Sequence, residues 1–149
     1  MWTCSVIYSL FLGFSTVLYS AYGDSEFMVD VTSATSITVK MIDSPDESGA
    51  MFLIFEAHCD DVWRGLLIGG TTVTSSRPGP LYRSNEVFDS YGVSEDELFL
   101  VEWKQLVNQN CGYDVKLKEK DMLYFKRSDS EDAFYSVVND EFVPLHRVS

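Results

Sequence analysis

The chain opens on a block of 23 residues without a single charge, in which Val6–Tyr19 is apolar apart from Ser, Gly and Thr. This run is too short to span a bilayer comfortably, but it has the length of a signal-peptide core. Small residues at Ala21 and Gly23 precede Asp24, so we predict a signal peptide over residues 1–23 that is cleaved before Asp24. Because the leader has no Lys or Arg, retention as an uncleaved anchor is the alternative.

After the leader, short apolar stretches alternate with polar turns, which is the pattern of β-strands. Strands are predicted over Phe27–Val31 and Ser36–Ile42. Ala50–His58 is almost continuously apolar, so it is expected to be a central strand covered on both faces. Val62–Ile68 and Thr71–Ser75 are predicted to form a β-hairpin.

The turn of that hairpin is expected at Gly69-Gly70, because a two-residue glycine turn between two apolar runs is a common hairpin signal. The next segment, Ser75–Arg83, contains two of the four prolines and two of the few cations, Arg77 and Arg83. It is predicted to be an exposed loop.

The clearest helical pattern is Ser94–Asn110. Ser94 and Glu97 have the spacing of a capping box, and Phe99 and Trp103 recur at helical spacing. Asn110 and Gly112 are expected to end the helix. The expected core residues of the helix and of the central strand are Phe52, Ile54, Leu98, Phe99, Trp103 and Leu106.

Four short strands are predicted after the helix, over residues 113–118, 122–127, 133–138 and 142–148. The whole pattern predicts an α+β fold with a mostly antiparallel sheet, sandwich-like or barrel-like, and one main helix. Residues 24–149 have the size of one ordinary domain.

Cysteine usage indicates an oxidising compartment. Cys4 would leave with the leader, so Cys59 and Cys111 remain, and two cysteines in a secreted chain most often form a disulfide. A reactive thiol is disfavoured, because Asp60 and Asp61 directly follow Cys59 and their charges raise the pKa of a thiol. We therefore predict a Cys59–Cys111 disulfide and a secreted, extracellular protein.

The net charge of −12 narrows the range of partners. An acidic surface repels phosphate backbones and anionic lipid headgroups, so neither nucleic acid nor stable membrane insertion after cleavage is expected. A basic protein or peptide would be attracted. No nucleotide fingerprint, zinc spacing or EF-hand loop occurs, so no cofactor and no metal site are predicted.

These observations favour a secreted, disulfide-stabilised binding protein that recognises an extracellular protein or peptide, with a basic partner as the favoured case. The candidate contact residues are tyrosines and acids of the C-terminal strands and turns, together with two cations of the proline-rich loop: Tyr113, Tyr124, Tyr135, Asp129, Glu131, Asp132, Arg77 and Arg83. The acidic turn could also hold calcium weakly. Two alternatives stay open, a small secreted hydrolase that uses His58 or His146 with nearby carboxylates, and a protease inhibitor that presents the Arg77–Arg83 loop.

Overall fold

The computed structural model describes residues 24–43, 51–84, 90–94, 97–112 and 115–148, so the leader lies outside the described residues. These residues form nine β-strands and one α-helix. The helix α1 is Leu98–Asn110 and lies between β6 and β7. The strands are β1 (Ser25–Thr32), β2 (Thr35–Asp43), β3 (Met51–Trp63), β4 (Leu66–Thr74), β5 (Gly79–Arg83), β6 (Ser90–Gly92), β7 (Tyr124–Arg127), β8 (Ala133–Val138) and β9 (Glu141–Arg147).

Eight of the strands close into an antiparallel barrel. The ladder runs from β1 through β2, β3, β5, β6, β7, β8 and β9, and β9 pairs again with β1. The ninth strand, β4, stands outside this ring and pairs only with Glu56–Trp63, the second part of β3. The predicted mostly antiparallel α+β fold, barrel-like with one main helix, is confirmed.

Side chains fill the inside of the barrel. Alternate residues of each strand face inward, and on β2 and β3 these are residues such as Ile37, Val39, Leu53 and Phe55, all with no exposed surface. The ring of Phe55 lies 6.3 Å from that of Phe125 on β7, across the interior. Burying each such side chain stabilises the fold by about 1.5–3 kcal/mol.

Helix α1 covers one end of the barrel, which we call the closed end. Phe99 and Trp103, each 1% exposed, bring their rings to 5.9 and 5.0 Å from the ring of Phe55. The indole Nε1 of Trp103 donates to the carbonyl of Val73 on β4, at 2.9 Å. At the opposite end, which we call the open end, strands β2, β5, β7 and β9 finish and no helix of the described chain covers them.

The disulfide joins the helix to the sheet. Cys59 of β3 and Cys111, the C-cap of α1, are bonded with their Cα atoms 5.3 Å apart, which confirms the predicted pair. Gly112 follows with a φ of +34°, in the left-handed region that favours glycine after a helix. The helix begins later than predicted: its N-cap is Glu97, without a side-chain cap, and the Glu97 N–H donates to the Ser94 carbonyl.

The expected core is correct for Phe99 and Trp103 and wrong for the other residues. Leu98 is 61% exposed, Leu106 is 44% exposed and Phe52 is 36% exposed, while Ile54 is half-buried. On β3, apolar residues occupy both faces, so the pattern did not reveal which face points inward. The barrel buries only one face, and that face carries the odd-numbered residues Leu53 and Phe55.

The predicted hairpin turn is also wrong. The chain reverses at Arg64-Gly65, whose φ angles of +51° and +77° are those of a two-residue turn with both residues left-handed. Gly69 and Gly70 lie within β4, opposite Asp61 and Asp60. The hairpin is therefore longer and more apolar at its tip than the sequence pattern indicated.

Three further segments differ from the predictions. Gly79–Arg83 is strand β5, so only residues 75–78 remain as loop. Residues 90–92, which lie in none of the predicted strands, form β6. Residues 115–118 are not a strand, and the first two residues of that predicted strand lie outside the described chain.

Candidate binding surfaces

The β3–β4 hairpin projects beyond the barrel with an apolar tip. Val62 and Trp63 before the turn are 53% and 56% exposed, and Leu66, Leu67 and Ile68 after it are 65%, 67% and 68% exposed. The guanidinium of Arg64 lies 4.5 Å from the centre of the Trp63 ring, a cation–π contact. We call residues 62–68 the hairpin tip.

The root of the hairpin is held firmly. The disulfide fixes Cys59 to the end of α1, and the next residue, Asp60, donates its backbone N–H to the carbonyl of Ala34 at 2.7 Å. On the other strand the Trp103 indole holds the Val73 carbonyl. The tip is thus carried on a rigid base, which lowers the entropic cost of ordering it against a partner.

One edge of β4 is unpaired. The strand pairs with β3 along one side, and no strand of the described chain pairs with its other side. The stretch of β4 from Leu66 to Thr72 is exposed. An edge of this kind offers backbone donors and acceptors to an added strand.

His58 lies near the root of the hairpin and contacts a carboxylate. Its Nε2 is 3.0 Å from Oδ1 of Asp60, and its Nδ1 is 3.0 Å from Oγ1 of Thr72. His58 and Asp60 help to line an open groove of about 450 Å³ beside the β1–β2 turn. A hydroxyl, an imidazole and a carboxylate in this order are the parts of a catalytic triad. However, the side chain of His58 is 55% exposed, and the electrostatic stabilisation of an oxyanion is weak where water surrounds the site.

His146 offers less. It is exposed on β9, and its imidazole makes no hydrogen bond or ion pair with any described residue. Within the described ranges, no three His, Cys, Asp or Glu side chains lie close enough together to hold a metal ion. No helix in the same ranges is long and apolar enough to cross a membrane.

On the outer surface of β1, β2 and β3, a lysine lies between two glutamates. Lys40 Nζ is 3.0 Å from Glu56 and 3.6 Å from Glu26. The hydrogen bond to Glu56, together with the negative charges of both glutamates, raises the pKa of Lys40 above its ordinary value. These exposed pairs join three neighbouring strands and contribute little free energy each.

The acidic turn predicted as a contact site connects β7 to β8 at the open end. Asp129, Glu131 and Asp132 line a shallow concavity of about 520 Å³ together with Arg127 and Arg147. Arg147 donates to Asp132 Oδ2 at 3.1 Å, so cations share this surface with the acids.

Tyr124 and Tyr135 lie on the same face of the neighbouring strands β7 and β8, but the candidate arginines do not join them on one surface. Tyr135 stacks on Phe142 with ring centres 5.3 Å apart, whereas the Tyr124 hydroxyl is hydrogen-bonded to Ser90 at 2.8 Å. Arg77 lies in the loop before β5, and Arg83 ends that strand, so the two lie toward opposite ends of the barrel. Tyr113 lies outside the described residues.

The hairpin tip is absent from the contact residues predicted from the sequence. Its signal was present in the five large apolar residues of Val62–Ile68, flanked by Asp60-Asp61 and Gly69-Gly70. Because the turn was expected at Gly69-Gly70, those residues were predicted to form one strand of the hairpin. Comparison of the chain with family models, with curated proteins and with solved structures gives no match.

Proposed function

We propose that this protein is a secreted binding protein that recognises an extended, basic segment of another protein through the β3–β4 hairpin. The observation that carries the proposal is the exposed apolar tip on a disulfide-anchored root. Five large apolar side chains more than half exposed in one short hairpin form a patch of the kind that marks interaction sites.

The edge of β4 favours a protein or peptide over a lipid surface. Unpaired backbone N–H and C=O groups lose their water when they enter hydrocarbon, so open sheet edges do not occur in contact with lipid tails. An added peptide strand satisfies the same groups with ladder hydrogen bonds and places alternate side chains on the tip.

Charge favours a basic partner over a second copy of the chain. Asp60 and Asp61 flank the apolar tip, and the chain carries a net charge of −12. Two copies would bring like charges together, whereas a segment with Lys or Arg beside its apolar residues would be attracted. Attraction of this kind weakens as ionic strength rises.

Secretion is part of the same proposal. The uncharged apolar leader over residues 1–23 supports it, and so does the disulfide, since such bonds persist in oxidising compartments. Intact-mass measurement of the protein from eukaryotic medium checks both points. A chain that starts at Asp24 and takes up two alkyl groups only after reduction supports the proposal, while a retained Met1 contradicts it.

The binding test uses a labelled ten-residue peptide of alternating Lys and Val, titrated with the purified chain and followed by fluorescence anisotropy. We expect it to bind at least tenfold more tightly than a peptide of alternating Glu and Val. N-methylation of alternate amides removes the ladder hydrogen bonds and is expected to abolish binding.

The matched variants are Leu67→Ser/Ile68→Ser at the tip and Leu98→Ser on α1, where an equally exposed leucine lies away from the hairpin. The tip variant is expected to lose at least tenfold in affinity and the helix variant to keep it. Equal binding of the acidic peptide, or no effect at the tip, contradicts the proposal. Two further results would also contradict it. One is a dimer in sedimentation equilibrium that the tip variant abolishes, and the other is flotation with phosphatidylcholine vesicles that the tip variant abolishes.

A secreted hydrolase is the second candidate, supported by the contacts of His58 with Asp60 and Thr72. It predicts turnover of ester or peptide substrates that His58→Ala removes while the unfolding midpoint stays unchanged. Turnover that persists in His58→Ala, or none in the unmodified protein, rejects this candidate.

A further inference from the structure

The open end of the barrel contains a cavity that the hairpin does not use. Its volume is about 270 Å³, just below the lower end of the range for small-molecule sites. The barrel is filled beneath it, since Phe55, Phe125 and Leu145 have no exposed surface. The cavity is therefore a shallow cup and not a deep channel.

The lower wall of the cup is apolar and well packed. Phe27 and Phe134 meet edge to face with ring centres 4.9 Å apart, and Tyr91 approaches Phe134 at 6.1 Å. Phe27 and Phe134 are 3% and 7% exposed, so neighbours hold both rings in place. Such a wall accepts an aromatic or compact aliphatic group with little rearrangement.

The rim of the cup carries cations where barrel strands end. Arg127 is the last residue of β7 and Arg147 the last of β9. Arg127 pairs in register with Phe134, and Arg147 pairs with Phe27, so both arginines are on the inward face of the barrel. In a protein of net charge −12, this cavity is lined by as many arginines as aspartates, so its lining is balanced in charge and not acidic.

The two arginines differ in their contacts. Arg147 donates to Asp132 at 3.1 Å, which offsets its charge. The guanidinium of Arg127 makes no hydrogen bond or ion pair with any residue that the structure describes. Its N–H donors are therefore available to a ligand. Asp43 and Asp132 also line the rim, and their charges disfavour a ligand with more than one negative charge.

We propose that this cup binds a small monoanionic molecule with an apolar body, the class to which arylalkyl carboxylates belong. The apolar body lies against Phe27, Tyr91 and Phe134, and the carboxylate accepts hydrogen bonds from Arg127. The size of the cup excludes long acyl chains. This site is independent of the hairpin and of the partner proposed for it.

The test is isothermal titration calorimetry of the full chain with 3-phenylpropionate, 3-phenylpropylamine, phenyl phosphate and palmitate. We expect 3-phenylpropionate to bind at one site per chain and at least tenfold more tightly than the amine or the phosphate. Palmitate is expected to bind no more tightly than 3-phenylpropionate, because the filled interior leaves no room for a longer chain.

The variants are Arg127→Gln in the cup and Arg77→Gln in the loop before β5, an exposed cation toward the opposite end. Arg127→Gln is expected to weaken the binding of 3-phenylpropionate at least tenfold. Arg127→Lys should weaken binding less, and Arg77→Gln should leave it unchanged. Unchanged binding in Arg127→Gln overturns the proposal, as does preferred binding of the amine or of palmitate, or no binding of the carboxylate at millimolar concentration. Leu67→Ser/Ile68→Ser separates the two sites, since it should leave carboxylate binding intact.

Discussion

Gly79 is the position at which the packing of helix on barrel can be tested most sharply. A Cβ atom built there would lie 1.9 Å from two ring carbons of Phe99 and 2.4 Å from a third. The backbone at Gly79 does not have a positive φ, so alanine would be compatible with the strand itself. The predicted cost of Gly79→Ala comes entirely from the collision with Phe99.

The size of the destabilisation caused by Gly79→Ala follows from how far the ring of Phe99 must move. To restore an ordinary contact of 3.4 Å, the ring has to retreat by about 1.5 Å. Phe99 is 1% exposed and its ring lies 5.9 Å from the ring of Phe55, so it has little space to retreat into. Overpacking of this kind costs about 1–3 kcal/mol, and we expect Gly79→Ala to destabilise the fold by about 3 kcal/mol.

The assay is urea unfolding followed by tryptophan fluorescence, which reports on the buried Trp103. A loss of about 3 kcal/mol lowers the midpoint by about 1–3 M at ordinary slopes. The matched control is Gly92→Ala on β6, where the added Cβ meets only the Leu123 carbonyl at 3.5 Å, an ordinary contact. We expect that variant to stay within about 0.5 kcal/mol of the unmodified protein.

A double-mutant cycle assigns the cost to the ring. Phe99→Leu alone should cost about 1–3 kcal/mol, and adding Gly79→Ala to it should cost far less than adding it to the unmodified chain. If Gly79→Ala matches Gly92→Ala, or if the two costs simply add, Phe99 does not pack over β5 and the described closure of the barrel is wrong.

The other predictions concern cross-linking, the hairpin turn and pH. Replacing both bonded cysteines by Ser should cost about 4 kcal/mol on the chain-entropy estimate for 52 residues of separation, measured as a lower urea midpoint; an unchanged midpoint would contradict it. Gly65→Ala should lower the free energy of unfolding by about 1–2 kcal/mol because φ there is +77°. Gly69→Ala should cost less than half of that. A larger cost at Gly69 than at Gly65 would indicate that the turn lies at Gly69-Gly70. Because the pKa of Lys40 is raised in the fold, its charged form stabilises the protein at neutral pH. The stability advantage over Lys40→Met should therefore be constant below the unfolded pKa of about 10.4 and vanish as pH rises through the higher folded value, measured by urea unfolding at each pH; an advantage that persists beyond that range contradicts the ion-pair account.

Part of the fold follows from local pattern. The alternation in Ser36–Ile42 predicted β2, since a barrel strand with one buried face repeats every second residue. The spacing of Phe99 and Trp103 predicted α1 and its buried side. Two cysteines in a chain with a secretory leader pattern predicted the disulfide, because few pairings existed.

Other features depend on partners far away in sequence. β5 and β6 are short and contain Pro and Gly, and they are strands only because β3 and β7 supply their ladders. The turn at Arg64-Gly65 was missed because Gly69-Gly70 is the stronger local signal. The register between β3 and β4, which pairs Asp60 with Gly70 and Trp63 with Leu66, places the turn instead.

The same distinction between local pattern and tertiary structure applies to the candidate binding sites. The sequence by itself determined the acidic surface, the covalent pair, the helix and the strands with a clear apolar pattern, since each is a property of residue type or of short-range spacing. Only the tertiary structure decided that Val62–Ile68 project into solvent and that Arg127 and Arg147 face one cup. Both depend on barrel closure, which brings the ends of β7 and β9 beside Phe27 and leaves β4 outside the ring. Closure is set by the register between strands far apart in the chain, and a local pattern of apolar residues does not contain that register.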